Sequence, residues 1–180
     1  GHPDVKHRGD AQHAGVERIW DVANTIRVAE MKSRPLFGLA TDDSHNYHSP
    51  RGATPGRGWI MVRTRRLTPA SLIAAIQAGD CYASSGVTLR DVRYDREKKA
   101  IDIAIEPVSG ATFQTRFIGT LRDFDDVSEP ALGKDGQPLQ DKSGKPVRAS
   151  RRYSEDIGRV LARVDGLTAR FRGDEELLDL

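Results

Sequence analysis

The chain has 180 residues, 37% of them apolar and 30% charged, and its 28 basic side chains nearly balance 26 acidic ones for a net charge of +2. That balance excludes a disordered polyelectrolyte and leaves no electrostatic case for nucleic acid as a partner. The lone cysteine, Cys81, excludes an internal disulfide framework, and no apolar run reaches the roughly 18 residues that a membrane-spanning helix requires.

Val16, Ile19, Trp20, Ala23, Ile26 and Ala29 recur at helical spacing with charges between them, which predicts an amphipathic helix over 16–31. The apolar run 36–40, opened by Pro35 and closed by Thr41-Asp42-Asp43, predicts a buried strand, and Trp59 to Val62 predicts another. Thr68 and Pro69 mark a helix start, with threonine as N-cap and proline in the first helical position. Leu72, Ile73 and Ile76 form its buried stripe, and Gly79 stands where a C-terminal cap belongs. Helices and strands in this order are α/β in character.

After Gly86 the period changes to two. Ile101, Ile103 and Ile105 alternate with Asp102, Ala104 and Glu106 in a half-buried strand, and Val92 and Tyr94 lie on one side of the strand before it. Asp95-Arg96-Glu97-Lys98 joins these two as a hairpin; Phe113, Thr115 and Phe117 continue the alternation, as do Val160, Ala162 and Val164. Residues 123–152 form a long polar, mobile loop with two turn-and-proline units. The expected organisation is therefore an α/β segment over 1–88 and a β-rich accessory domain over 89–180.

The densest polar cluster, Thr41 to His48, directly follows the first apolar run. In an extended chain residues i and i+2 point the same way, so Asp43 and His45 converge on one point. A carboxylate and an imidazole suit zinc, manganese or iron better than calcium, and α/β folds place their sites at the carboxyl ends of buried strands. Asp42 and His48 are neighbours of this pair. The plainer alternative makes Asp43 a turn cap and both histidines surface residues. Arg51 and Arg57 sit in a following Gly/Pro loop, which can present guanidinium groups to a phosphate or carboxylate or simply face water. His2, His7 and His13 have no recognisable ligand spacing.

Gly38-Leu-Ala-Thr-Asp-Asp-Ser-His45 is followed by Gly58-Trp-Ile-Met-Val62, by Leu67-Thr-Pro-Ala-Ser-Leu-Ile73 and by Ala78-Gly-Asp-Cys-Tyr-Ala-Ser-Ser-Gly86. With Gly1-His2-Pro3, Glu17-Arg-Ile-Trp-Asp21 and Thr115-Arg-Phe-Ile-Gly-Thr120, this series resembles the closing segment of the PHP (polymerase and histidinol phosphatase) superfamily of metal-dependent phosphoesterases, over residues 1–122. The resemblance implies the C-terminal part of a distorted (β/α)7 barrel with a β-sandwich-like appendage. It implies a divalent metal cluster of zinc, manganese or iron, with Asp43 and His45 as ligands. His2, Asp42 and His48 then stand as site neighbours and Arg57 as a substrate contact. The family's first His-x-His motif is missing, so the cluster is incomplete and the chain is a fragment expected to be inactive by itself. The implied substrate is a small phosphate ester, with hydrolysis of another bond, or a non-catalytic β-rich binding or structural module, as the alternatives.

Overall fold

A computed structural model of the chain describes residues 9, 14–49, 51–130, 132–145 and 151–173. The first element is helix α1 (Val16–Ala29), where the spacing predicted it. One of its faces is laid against the β-rich half. The Arg18 guanidinium donates to the carbonyls of Tyr153 at 3.0 Å, Ser154 and Ile157. Two turns on, the Thr25 hydroxyl lies 2.9 Å from the Thr120 hydroxyl, which accepts the Gly158 N–H at 3.0 Å. A Cβ on Gly158 (φ +66°) would fall 2.5 Å from Asp21 Oδ2, so only glycine allows the helix this close.

The apolar run at 36–40 does not become a strand, and Leu36, Phe37 and Leu39 are exposed rather than buried. Side chains of α1 occupy its backbone. Asn24 accepts the Leu36 N–H at 2.6 Å and returns its amide N–H to the Leu36 carbonyl at 3.2 Å, and Trp20 Nε1 donates to the same carbonyl at 3.0 Å. Once these groups are satisfied, Leu36 has nothing left to offer a sheet ladder.

Strand β1 (Trp59–Val62) leads into helix α2 (Pro69–Ala78) and strand β2 (Cys81–Ser84). Thr68 caps α2 by accepting the Ser71 N–H at 3.3 Å, and Gly79 ends it in the left-handed region at φ +81°. The two strands pair antiparallel, Val62 opposite Cys81 and Trp59 opposite Ser84. The Arg63 N–H reaches the Asp80 carbonyl at 2.8 Å, so the ladder runs up to the helix. The helix is thus an excursion from one end of a hairpin. A parallel βαβ unit would need β2 to begin at the Trp59 end, about 10 Å back along β1.

The other strands are also antiparallel. Strands β3 (Leu89–Asp95) and β4 (Ala100–Ile105) form the expected hairpin, and β9 (Thr168–Arg172) adds to β4's other edge. Strand β5 (Gln114–Gly119) pairs with β8 (Arg159–Asp165). The 123–152 segment is closed near its base by β6 (Ser128–Pro130) against β7 (Arg151–Tyr153), with a further bridge between Leu132 and Pro138. Tyr94, Ile101 and Phe171 make a row across the three-stranded sheet, and the Phe171 ring stacks on Phe117 of β5 at 5.1 Å. Among the described residues, Ala100, Ile105, Phe117, Ile157 and Ala169 are the buried apolar side chains of this half, whereas the first half buries one apolar side chain, Ala75, beside the polar Thr25 and Ser84.

The expectation of part of a (β/α)7 barrel followed by a β-sandwich-like appendage is corrected by this topology. The described residues form small antiparallel sheets with two helices and no barrel. A barrel requires parallel strands joined by crossover helices, and α2, which among the described residues is the helix between two paired strands, does not cross over.

Candidate functional site

The Thr41–Trp59 loop holds most of the residues singled out in the sequence. Its base is closed at Asp42, whose carboxylate accepts backbone N–H groups from Gly56 at 2.7 Å, Arg57 at 2.5 Å and Gly58 at 2.6 Å. Successive N–H groups converging on one anion form a small nest. The bond from Gly58, followed by that from Gly56, holds the Asp42 carboxyl below its ordinary value of 3.8. A Cβ on Gly58 would lie 3.0 Å from the Thr41 carbonyl oxygen, so the glycine also lets the two ends of the loop touch.

Asp43 and His45 project from this base. Asp43 has φ +49°, a left-handed conformation that aspartate tolerates, so the extended geometry expected for the pair is not what brings it together. The His45 ring instead folds back, placing Nδ1 2.6 Å from the Asp43 carbonyl oxygen and 3.8 Å from Asp43 Oδ1. An Nδ1–H donated to that carbonyl leaves the Nε2 lone pair available, the tautomer in which a histidine ligates metal. The His45 side chain is 77% exposed and that of Asp43 60%. Between them the Ser44 hydroxyl oxygen is buried and has no hydrogen-bond partner. The Ala53 carbonyl accepts both the His45 and Asn46 N–H groups at 3.1 Å, fixing the far side of the turn.

Two more of the sequence candidates, His48 and Arg57, belong to the same loop. His48 is exposed. Arg57 donates from its guanidinium to the Gly52 carbonyl at 3.2 Å, which folds the side chain over its own loop. His2, His7 and His13 lie outside the described residues.

By their chemistry Asp43 and His45 would offer a divalent ion only part of a ligand set: one carboxylate and one imidazole, both accessible, beside a hydroxyl whose lone pairs are unused. Among the described residues no group of three or more His, Cys, Asp or Glu side chains gathers where an ion could be held. The sequence reading missed the part played by Asp42, although a Gly-Arg-Gly segment downstream of an aspartate signals backbone N–H groups open to an anion. It also missed Asn24, for which no local signal exists.

Compared with family models, with curated proteins and with solved structures, the chain matches none. No helix among the described residues is long and apolar enough to cross a membrane.

Proposed function

We propose that this chain contributes Asp43 and His45 to the divalent-metal centre of a hydrolase that cleaves a small phosphate ester. The observation that carries the reading is the juxtaposed, exposed Asp43–His45 pair on a loop whose base Asp42 pins through three backbone N–H bonds. Asp43 and His45 would hold a zinc, manganese or iron ion, which when bound would supply Lewis-acid activation of water and of a phosphoryl oxygen. The chain's own residues orient and recognise. The Asp43 carbonyl sets the His45 ring, and the Arg57 N–H groups not engaged by Gly52 are suited to phosphate oxygens. A catalytic zinc takes three protein ligands and a water, so two ligands predict little turnover from one copy of this chain. Elemental analysis after equilibration with zinc or manganese tests the reading. Asp43→Asn and His45→Ala should each lower bound metal, and unchanged content in both would remove the pair from any metal centre.

A second reading, a binding module without chemistry, is favoured by one observation. A cleft of about 340 Å³ between α1 and the β-rich half is lined mainly by apolar side chains, among them Trp20, Leu36, Phe37, Ile118 and Phe171. An apolar ligand seated there should shift Trp20 emission to the blue. An apolar dye that binds without changing the Trp20 spectrum would place the ligand elsewhere.

A further inference from the structure

We infer that the cleft between α1 and the β-rich half binds a small apolar molecule carrying one ammonium group, with the ammonium seated on the Asp21 carboxylate. The inference rests on the reading of this cleft as a ligand site and adds the charge of the ligand. Its volume of about 340 Å³ is that of a small-molecule pocket. Trp20, Leu36, Phe37 and Ile118 on its walls remain 42–47% exposed, so apolar surface is there for a ligand to cover.

The polar groups of the cleft select the chemistry, because most of them are already engaged. Asn24 and Trp20 Nε1 are bonded to the Leu36 backbone, and the Thr25 hydroxyl, the Thr120 hydroxyl and the Gly158 N–H form one chain. Asp21 differs. Of the described residues that line the cleft it alone carries a charge, and no hydrogen-bond donor among the described residues reaches its carboxylate. Gly158 packs against Asp21 Oδ2 but gives its N–H to Thr120. Arg18 offsets part of the Asp21 charge, yet its guanidinium is committed to the carbonyls of Tyr153, Ser154 and Ile157. Glu17, one turn back along α1, adds to the negative potential. Asp21 is thus a half-buried carboxylate short of a donor, and its desolvation is the cost that a suitable ligand removes. An ammonium brings both the donor and the opposite charge, an alcohol brings the donor alone, and an anion brings neither.

The test is titration of the full chain with phenethylamine, phenethyl alcohol and hydrocinnamate, which share an apolar body and differ in charge. A Trp59→Phe background lets Trp20 alone report, and isothermal titration gives the affinities. The amine should shift Trp20 emission to the blue and bind about 10- to 100-fold more tightly than the alcohol, the ratio expected of one charge-assisted hydrogen bond. The anion should bind most weakly. Asp21→Asn, or Asp21→Ser should the amide not fold beside Gly158, should bring the amine down to the affinity of the alcohol and leave the alcohol unchanged. Equal affinities of amine and alcohol in the parent chain would overturn the inference and leave the cleft as an apolar site. No shift of Trp20 emission with any of the three would sink both readings. An amine preference that survives the loss of the Asp21 carboxylate would also overturn the inference, since another acidic group would then hold the cation.

Discussion

Asp42 turns its carboxylate inward to three backbone N–H groups, whereas Asp43, next to it, presents its carboxylate to solvent. The difference is one of backbone supply. Gly56-Arg57-Gly58 offers three successive backbone N–H groups, two of them from glycines, and after the left-handed turn at Asp43 the His45 ring folds back over it. The chemistry proposed for Asp43 and His45 therefore depends on a residue that touches no ligand. Asp42→Asn replaces one acceptor oxygen with an N–H₂ group that faces donors. It should weaken zinc binding about 10- to 100-fold, the usual range for residues that position a ligand, with Asp43 and His45 intact. Isothermal titration of both proteins measures this, and equal affinities would show that Asp42 closes the loop without positioning the pair.

Where the hydrophobic period was strong, the elements formed over the expected residues: α1, the β3–β4 hairpin, and α2 between a threonine cap and a glycine stop. The stripe expected to be buried on α2 is not, because Ile73 is exposed, Leu72 and Ile76 are half-buried and only Ala75 is covered. The run at 36–40 has the composition of a strand, yet Asn24 and Trp20 reach its backbone from a helix more than a turn away in sequence. Period and propensity describe neighbours along the chain, and this competitor is not one of them. The docking of α1 has the same character. Arg18 satisfies three carbonyls in the turn before β8, and Thr25 meets Thr120, so residues 153–158 are ordered in part by the helix. Residues 89–180 expressed alone should accordingly lack a cooperative thermal transition, while the full chain shows one. A sharp transition in the shorter piece, at the temperature of the full chain, would show that α1 contributes nothing to that half.

The molecule's stability should carry the mark of this packing in its pH dependence. Desolvation beneath the 154–158 turn is the main reason that the Asp21 carboxyl titrates above its ordinary value of 3.8; Arg18 opposes the shift and Glu17 adds to it. The folded chain therefore holds the Asp21 proton more tightly than the unfolded chain. Its contribution is greatest below the ordinary carboxylate range and is lost as pH rises through the raised value. Asp42, Asp95 and Asp141 are shifted the other way, mainly by hydrogen bonds, and lose their contribution as pH falls below 3.8. Comparing Asp21→Asn with the parent isolates the first effect. Urea midpoints measured from pH 4 to 7 should fall with rising pH more steeply in the parent than in the variant. Parallel curves would mean that Asp21 is not desolvated by the turn.

The sequence by itself determined which stretches are helical, where α2 starts and stops, which strands alternate, and that an aspartate and a histidine stand two residues apart after an apolar run. These are properties of spacing, and spacing along the chain is what periodicity reads. The antiparallel pairing of β1 with β2, the capture of Leu36 by α1 and the Asp42 nest required the folded chain. Each joins groups that lie many residues apart, and the same βαβ order of elements is compatible with a parallel crossover or an antiparallel hairpin. The hydrogen bond from Arg63 to Asp80 belongs to the antiparallel solution, and with it the barrel expectation falls.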